Sequence, residues 1–590
     1  MTVKELMLDP ITRLEGHAAL HAKIDVEAKR YIDAHSVAGM FRGFEIILKG
    51  RDPPDATFIT QRICGVCPVP HAYASALSLD MALKAPPPPL ATILRNLTIA
   101  AELLYDHPIH LFQLAGPDYS AIIVKKFNKA WWSAAQLTLC EYRDVHGYTT
   151  IADLMEALNP LSGSLYLYTL KMERFSRKLA SLLGAKHPHV NTFIPGGVAR
   201  TWGASEAAQA FSMLLTLAGL SKLLVTVWED LSRFLYDMGY EDAGLRPANL
   251  IAYGVMEDHE TYDASYANMS KWGEKKYLTP GVVVNGELVT YDLKEIHRGI
   301  REYVEHSYYE AWSPEFTTDP EGVSLDSNHP WNKETLPSPQ ARSWDGKYTW
   351  ASTPRWAYNG AIYVLEAGPA ARIWAPALAG KVNFTCPFSE VKTGNGVVRI
   401  SLPETRSEEL PASLYDAMEV EWVAPKIYRN GVKCVNTIER NKARAYNHAY
   451  YAAVALLNAL QMFELIKEGK LSVWKEIERP ALSFGAGMTE AARGAVGHWS
   501  VVKGGKIHRY QVITPTAWNI SPRDPEGNLG PIEEAVVNTP VTEDHGGADE
   551  WVGLDAVRVV RSYDPCLSCT VHAYIGGRYV KHSTTYCLTP

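Results

Sequence analysis

The sequence predicts a predominantly helical α+β fold, with a bundle of long helices at its centre and small β-sheets at its periphery. Long segments with helical periodicity recur along the chain, whereas glycine, proline and aromatic residues dominate between residues 241 and 400. The chain contains no internal repeat and no low-complexity linker. We therefore expect one intertwined domain rather than a row of separate modules.

The predicted elements follow in a helix-rich order. Residues 16–39 alternate apolar and polar side chains, which is typical of a β-hairpin or meander. Four consecutive prolines at residues 86–89 break the chain, and helical periodicity then runs from residue 90 to about residue 113. Three further long helices are predicted at residues 162–184, 205–238 and 441–468. A β-like run covers residues 281–286, and the polar, proline-punctuated residues 313–346 indicate a long surface loop.

Bulk properties exclude some classes of protein. With 590 residues the chain can bury a large core, and its net charge of −7 argues against a nucleic-acid partner. No uninterrupted apolar run reaches the roughly 18 residues of a membrane span. The N-terminus has no signal-peptide pattern. We expect synthesis in the cytoplasm, a mature complex that is cytoplasmic or membrane-associated, and export only if a partner subunit carries it.

Two Cys-x-x-Cys pairs lie about 500 residues apart, and a histidine follows each pair. Eight cysteines are too few for a disulfide scaffold in a chain of this length. Four thiolates in one place form a soft site that selects late transition metals. A structural zinc site and a redox dithiol are the alternatives, but zinc sites with four cysteines usually draw both halves from one short module. The first pair with its histidine is Cys64, Cys67 and His71, and the second is Cys566, Cys569 and His572.

The segments around these cysteines resemble the two signature motifs of the large subunit of nickel–iron hydrogenases. They are Arg62-Ile-Cys64-Gly-Val-Cys67-Pro-Val-Pro-His71 and Asp564-Pro-Cys566-Leu-Ser-Cys569-Thr-Val-His572. Six further segments resemble the family: Arg13-Leu-Glu-Gly-His17, Arg42-Gly-Phe-Glu45, Pro195-Gly-Gly197, Glu366-Ala-Gly-Pro369, Ala492-Arg-Gly494 with His498-Trp499, and Val512-Ile-Thr-Pro-Thr516-x-Trp-Asn519. The resemblance covers essentially the whole chain, in the expected order.

The resemblance implies an uptake-type enzyme that cleaves H2 heterolytically to protons and electrons. Cys64 and Cys566 would be terminal nickel ligands. Cys67 and Cys569 would bridge nickel to an iron that carries carbon monoxide and two cyanides. The chain would be a precursor, with a catalytic domain over residues 1–572 and an extension over residues 573–590 that is removed on maturation.

The same resemblance assigns residues around the metals. Glu15 would be the first proton acceptor from a terminal cysteine, and His71 would donate to a bridging sulfur. Arg493 would lie over the open coordination position, with Asp106 and Asp564 beside it. The family usually has proline before this arginine, where this chain has alanine.

Two further groups of residues complete the implied site. Pro515 and Thr516 would line the pocket of the iron's diatomic ligands. Glu45, the backbone carbonyl of Val512 and His572 would hold magnesium or another hard divalent cation.

Each side chain also has a simpler interpretation on the residues alone. His71 would be a satisfied core histidine, Glu15 a surface partner of Arg13, Arg493 an ordinary surface arginine, and Asp564 a turn cap. Only their places within the motifs favour the functional interpretation.

Electrons released from H2 need a path that this chain does not supply. Iron–sulfur clusters need clustered cysteines, and the remaining cysteines are scattered, at residues 140, 386, 434 and 587. We therefore expect clusters only in a partner iron–sulfur small subunit, with heterodimers in a higher oligomer. A maturation endopeptidase and nickel-insertion proteins would be further partners. The competing functions are a quinone-site or scaffold subunit, which typically lacks the nickel cysteines, and a hydrogen sensor, which usually lacks the tail.

Overall fold

Long helices form the centre of the molecule. The helix Ala204–Asp237 packs along Thr437–Lys467, which also packs against Pro89–Ile109. The computed structural model describes residues 2–567 and, beyond them, the backbone of two short strands, Tyr574–Ile575 and Arg578–Tyr579. The long helices within these residues are Pro68–Ala82, Pro89–Ile109, Ser164–Gly184, Ala204–Asp237 and Thr437–Lys467. The prediction of a central long-helix bundle is confirmed.

The predicted helix boundaries are close to those observed. The helix predicted at residues 441–468 begins earlier, at Thr437, because the Asn436 side chain accepts a hydrogen bond from the backbone N–H of Glu439 (2.9 Å) and caps its first turn. The helix predicted to end near residue 113 has α-helical geometry only to Ile109. It continues as a π-helical turn over His110–Leu114, an irregularity that often marks functional sites.

Short helices connect these elements at the surface and around the centre. They are Phe44–Leu48, Asp55–Thr60, Ala121–Phe127, Lys129–Ala135, Arg143–His146, Ile151–Ala157, Met269–Gly273, Leu293–Gly299, Pro369–Ala379, Pro515–Asn519, Pro531–Val536 and Leu554–Ser562.

The strands form small separate sheets, most of them antiparallel. The predicted N-terminal meander is Val3–Leu8, Ala18–Asp25 and Arg30–Ala38. The β-like run at residues 281–286 belongs to a four-stranded sheet of Glu366–Ala367, Leu250–Ala252, Gly281–Val284 and Glu287–Thr290. The other sheets within the described residues are Asn383–Cys386 with Ser389–Gly394, Val397–Leu402 and Met418–Val423; Ile300–Tyr303 with Thr353–Tyr358 and Ala361–Tyr363; Tyr428–Arg429 with Val432–Val435 and Arg246–Pro247; Phe193–Ile194 with Gly197–Val198; and Leu482–Ala491 with Gly494–Lys503 and Lys506–Ile513.

The last of these sheets is buried against the helix Pro68–Ala82. A Cβ atom on Gly487 would lie 1.8 Å from the carbonyl oxygen of Ala74, so only glycine allows the strand to approach the helix backbone this closely. The helix that follows Cys67 is thereby fixed against the strand that precedes Arg493.

The two ends of the described chain pack together. The N-terminal sheet shares one apolar cluster with the helix Leu554–Ser562. Lys4 Nζ donates to the carbonyl oxygen of Ala548 (2.6 Å), and Arg561 Nε donates to that of Thr12 (2.9 Å). This packing brings the C-terminal Cys-x-x-Cys segment to the N-terminal strands.

The prediction of a surface loop at residues 313–346 is wrong for its middle. The segment is irregular, but Trp331 is only 1% exposed, and its indole N–H donates to the carbonyl oxygen of Gly485 (2.9 Å). His329, Asn332 and Lys333 are buried as well. Aromatic contacts with Phe484 pull this part of the loop into the core, which its polar composition conceals.

Two helices, Ala204–Asp237 and Thr437–Lys467, are long and apolar enough to cross a membrane by length and composition. Their most apolar stretches are 83% and 67% buried inside the protein, as expected of core helices, so they are weak grounds for a membrane span.

Buried carboxyl groups tie peripheral elements to this core, and Glu533 is the clearest case. Its Oε1 accepts hydrogen bonds from the backbone N–H of Ser36 (3.0 Å) and from the Tyr348 hydroxyl (2.8 Å). Burial raises the pKa of Glu533 to about 7, although these hydrogen bonds partly offset the effect.

We predict that the Glu533→Gln variant changes the pH dependence of stability. The folded pKa of about 7 lies above the value of about 4.3 for an unfolded chain, so the contribution of Glu533 is fully present below pH 4.3. It is lost as the pH rises through 7, by at most about 4 kcal/mol. Chemical denaturation from pH 4.5 to 7.5 should therefore show wild type losing stability relative to Glu533→Gln. The exposed control Glu408→Gln should follow wild type, and parallel curves for all three would contradict the prediction.

Candidate metal centre

The first Cys-x-x-Cys pair forms a tight loop at the start of a helix. Cys64 follows the short turn Gln61–Ile63, and Cys67 immediately precedes the helix Pro68–Ala82. The Cys64 sulfur accepts hydrogen bonds from the backbone N–H groups of Val66 (3.3 Å) and Cys67 (3.2 Å). Both cysteines are buried. The loop therefore directs two thiols towards the interior and stabilises negative charge on Cys64.

Backbone hydrogen bonds place the second motif next to Glu15. The Glu15 N–H donates to the carbonyl oxygen of Pro565 (3.2 Å), and the Leu567 N–H donates to that of Glu15 (2.8 Å). The N–H of Cys566 donates to the hydroxyl oxygen of Thr516 (2.9 Å). Three distant parts of the sequence thus meet at Cys566.

Three thiols converge at this point. The Cys566 sulfur lies 3.0 Å from the sulfur of Cys64 and 3.7 Å from that of Cys67. Hydrogen bonds from these two thiols lower the pKa of Cys566 to about 6, and the corresponding contacts raise the pKa of Cys67. Cys569 and His572 lie outside the described residues. A compact set of thiols, two of them buried and the third readily deprotonated, is a donor set that suits nickel and iron.

Arg493 lies beside the thiols on the tight turn between the strands Leu482–Ala491 and Gly494–Lys503. Its side chain is 1% exposed, so the interpretation as a surface arginine is wrong. Gly494 has a φ of 126°, and a Cβ atom there would lie 2.4 Å from the backbone nitrogen of Gly368. The turn thus packs directly on the segment Glu366-Ala-Gly-Pro369 and needs glycine at this position.

Two buried carboxylates hold the Arg493 guanidinium. Nη1 donates to Asp106 Oδ2 (2.7 Å), while Nη2 and Nε face the two carboxylate oxygens of Asp564 at 3.2 and 3.1 Å. Burial raises the pKa of Asp106 to about 6, although Arg493 opposes the shift. Burial also disfavours the charged form of Asp564, but Arg493 and His110 outweigh it and hold the pKa of Asp564 well below its usual range. The guanidinium is therefore fixed in one orientation by charge-assisted hydrogen bonds.

His71 is buried and belongs to a chain of hydrogen-bonding side chains. Its Nδ1 lies 3.1 Å from Nε2 of His498, whose Nδ1 lies 2.9 Å from the Tyr510 hydroxyl. The Tyr510 hydroxyl donates in turn to Ser75 Oγ (3.0 Å). Burial lowers the pKa of His71 to about 3. The ring is therefore neutral, and His498 fixes its orientation.

A cavity of about 160 Å³ adjoins Cys566 and brings Glu45 and Val512 together. Burial raises the pKa of Glu45, and the nearby Lys333 partly offsets the shift. Glu302, Lys333 and Gln511 line the same cavity, and Gln511 Nε2 donates to Glu302 (3.1 Å). The chain thus places Glu45 and Val512 at one polar cavity, and carboxylates and backbone carbonyls are the ligand types that hard cations prefer.

The remaining predicted pocket residues lie nearby. Pro515 and Thr516 are the first two residues of the helix Pro515–Asn519, and both are buried. The Thr516 oxygen accepts from the N–H of Cys566, and its hydroxyl hydrogen can still donate to another acceptor.

The sequence motifs did not single out Glu102, Tyr105 and His110, which lie on the helix that carries Asp106 or directly after it. Glu102, Asp106 and His110 are spaced four residues apart, so they share one face of the helix. Glu102 Oε2 accepts from the backbone N–H of Val69 (2.9 Å), just beyond Cys67, and His110 Nδ1 lies 3.3 Å from Asp564. The Tyr105 hydroxyl donates to the carbonyl oxygen of Val66. The four-residue spacing from Asp106 was a visible signal for Glu102 and His110, whereas no sequence signal pointed to Tyr105.

A second cluster with metal-ligand chemistry has its hydrogen bonds satisfied by the protein. Cys140, His146 and Asp230 are buried with ligand atoms within 4.8 Å of one another. His146 Nε2 lies 2.9 Å from Asp230 Oδ2, and Nδ1 accepts from the backbone N–H of Tyr148 (3.1 Å). Since both ring nitrogens are engaged, we interpret this cluster as a structural contact.

Comparisons with known proteins agree with this geometry. The family described as nickel-dependent hydrogenase matches residues 42–138 and 145–572. The periplasmic [NiFeSe] hydrogenase large subunit of Desulfomicrobium baculatum is 30% identical, over 96% of this chain and 95% of that protein. The uptake hydrogenase large subunit of Rhizobium leguminosarum bv. viciae is 29% identical, over the same shares.

A solved structure shows the same fold. The actinobacterial-type NiFe-hydrogenase from Ralstonia eutropha H16 has a TM-score of 0.90 and 38% identity, covering 96% of this chain and 99% of that one. The family match spans most of the chain, including both cysteine motifs and Arg493. The chain therefore belongs to the nickel-dependent hydrogenase family, as an oxidoreductase that acts on H2 at a nickel–iron centre.

Proposed function

We propose that the chain is the catalytic large subunit of a nickel–iron hydrogenase, in which the iron carries carbon monoxide and two cyanides. The observation that carries this proposal is the convergence of the thiols of Cys64, Cys67 and Cys566 beside the buried Arg493. Cys569 would complete the ligand set, with Cys67 and Cys569 as the bridging sulfurs. When bound, the metal pair would polarise H2 and accept its electrons.

In this proposal Glu15 takes the proton from a terminal cysteine. Its backbone is paired with the Pro565–Leu567 segment, and its carboxylate acts electrostatically on Cys566. The paired backbone keeps Glu15 next to the segment that carries Cys566.

Arg493 supplies a fixed positive charge at the open side of the thiol cluster. Asp106 and Asp564 orient it, so no reorganisation is needed when charge develops during H2 cleavage. The pKa of about 6 for Asp106 lets this carboxyl group hold or release a proton at physiological pH.

The other predicted residues would tune the site. The hydroxyl hydrogen of Thr516 is available for a cyanide, and Pro515 gives the diatomic pocket an apolar wall. His71, oriented by His498, would contact a bridging sulfur. Glu45, the Val512 carbonyl and His572 would hold magnesium at the cavity beside Cys566.

The partners follow from what the chain lacks for electron transfer. The cysteines outside the two motifs are scattered, so we propose that an iron–sulfur small subunit accepts the electrons. Heterodimers in a higher oligomer, a maturation endopeptidase and nickel-insertion proteins belong to the same proposal.

A single domain over residues 1–572 is supported by the contacts between the N-terminal sheet and the helix Leu554–Ser562. Cytoplasmic synthesis, with export only through the partner, is a prediction that cell fractionation tests.

Infrared spectroscopy of the purified complex tests the proposed iron ligands. We expect absorption bands of metal-bound carbon monoxide and cyanide, since no protein group absorbs in the part of the infrared spectrum where these two ligands do. The Cys67→Ser variant, at a proposed bridging sulfur, should lose these bands together with its nickel, because serine is a hard donor. The matched control Cys434→Ser, at a buried cysteine outside the motifs, should keep both. Stoichiometric zinc without nickel or these bands in the wild-type complex would contradict the proposal.

We also propose that the mature chain ends at His572, where the family match ends as well. Residues 573–590 would then be removed after nickel insertion, and Cys587 could have no part in catalysis. Intact-mass spectrometry of the active complex should give the mass of residues 1–572. A large subunit that is active and retains the mass of residues 573–590 would contradict this maturation step.

A further inference from the structure

A second buried arginine, Arg372, holds the turn that carries Arg493. Arg372 lies in the helix Pro369–Ala379 and is 1% exposed. Its guanidinium donates from Nη1 to the carbonyl oxygen of Ala491 and from Nη2 to that of Ala492 (2.6 Å). One planar group therefore fixes two adjacent peptide groups of the turn, immediately before Arg493.

Arg372 is itself held in place. Its Nε lies 3.7 Å from the carboxylate of Glu490, the residue that precedes Ala491, and its guanidinium lies 5.7 Å from the ring centre of Tyr451. Glu490 also accepts from the backbone N–H of Tyr253 (2.6 Å). A carboxylate and an aromatic face thus compensate the buried charge, and the guanidinium has one geometry.

The segment before Arg372 also contacts the helix that carries Thr516. The Ala367 N–H donates to Asn519 Oδ1 (3.0 Å), and Asn519 Nδ2 donates back to the Ala367 carbonyl oxygen (2.7 Å). Asn447, in the central helix Thr437–Lys467, donates to the carbonyl oxygen of Pro369 (2.8 Å). The segment 367–372 therefore links the Arg493 turn, the Thr516 helix and the central bundle.

The turn itself has little intrinsic rigidity. Ala491 pairs with Gly494, so Ala492 and Arg493 are the two central residues of the hairpin. Neither is a residue that restricts its own backbone strongly. The orientation of Arg493 thus depends on contacts from outside the hairpin.

We propose that Arg372 is a positioning residue for Arg493, acting through the carbonyl groups of Ala491 and Ala492. The effect on turnover rests on the role proposed above for Arg493, whereas the effect on the turn does not. A misplacement of about 1 Å at a charged group can cost about a hundredfold in rate.

The Arg372→Lys variant, in the complete complex with its partner, tests the proposal. A lysine ammonium keeps the charge but cannot hold two carbonyl groups in the fixed fork of a guanidinium. We expect kcat for H2 oxidation to fall by about ten- to a hundredfold, with KM for H2 nearly unchanged. Amide hydrogen exchange over residues 491–494 should become faster, in the metal-loaded complex and in the apoprotein alike.

Rescue by a second substitution separates positioning from a general loss of structure. Ala492 has a negative φ and occupies the second position of the turn, where proline is favoured. The double variant Arg372→Lys with Ala492→Pro should therefore recover slow exchange of the turn and most of the lost kcat. Ala492→Pro alone should behave as wild type.

Arg95 offers a matched control. It is buried, and its Nη2 donates to the carbonyl oxygens of Ile194 (2.7 Å) and Gly197 (3.0 Å), away from the Arg493 turn. Arg95→Lys should leave amide exchange over residues 491–494 unchanged. Adding Ala492→Pro to Arg95→Lys should not make that exchange slower.

Three results would overturn the proposal. The first is wild-type kcat and wild-type exchange of the turn in Arg372→Lys. The second is a loss of kcat that Ala492→Pro does not restore while exchange of the turn stays slow. The third applies if Arg372→Lys does not accumulate. The double variant then becomes the test, and the result that overturns the proposal is that it also fails to fold. Faster exchange of the turn with normal turnover would instead support the contact between Arg372 and the turn, and it would contradict the proposed role of Arg493.

Discussion

The site depends on the backbone pairing between Glu15 and the segment around Cys566. Two hydrogen bonds, from the Glu15 N–H to Pro565 and from the Leu567 N–H to Glu15, join the ends of the described chain at one point. They hold the second cysteine motif next to the first, which lies about 500 residues earlier. The apolar contacts between the N-terminal sheet and the helix Leu554–Ser562 stabilise this closure, so ordinary core packing determines whether the thiols converge.

Electrostatics then gives the converged thiols a defined environment. Arg493 is one buried cation between two buried carboxylates, and each of these charges would be costly without the others. The same arrangement divides the carboxylates: Asp106 has a raised pKa, whereas the pKa of Asp564 stays low. One carboxyl group can therefore exchange protons near neutral pH while the other remains a permanent partner of the arginine.

Local sequence was sufficient for features that depend on neighbours along the chain. The long helices follow from apolar periodicity, and Cys64, Cys67 and Arg493 follow from short motifs. It was insufficient for contacts that tertiary packing creates. Nothing near Arg372 indicates that it holds the Arg493 turn, because its partners lie about 120 residues away. The buried Trp331 was missed for the same reason, since the polar residues around it resemble those of a surface loop. The roles of Cys569 and His572 remain predictions, because both lie outside the described residues.

In the proposed centre, thiols from both motifs bind one nickel ion beside an iron. X-ray absorption at the nickel edge of the purified complex tests it most directly. We expect a nickel shell dominated by sulfur, an iron neighbour, and loss of sulfur neighbours when either Cys64 or Cys566 is replaced by serine. A shell of nitrogen and oxygen, or a sulfur shell that survives both substitutions, would contradict it.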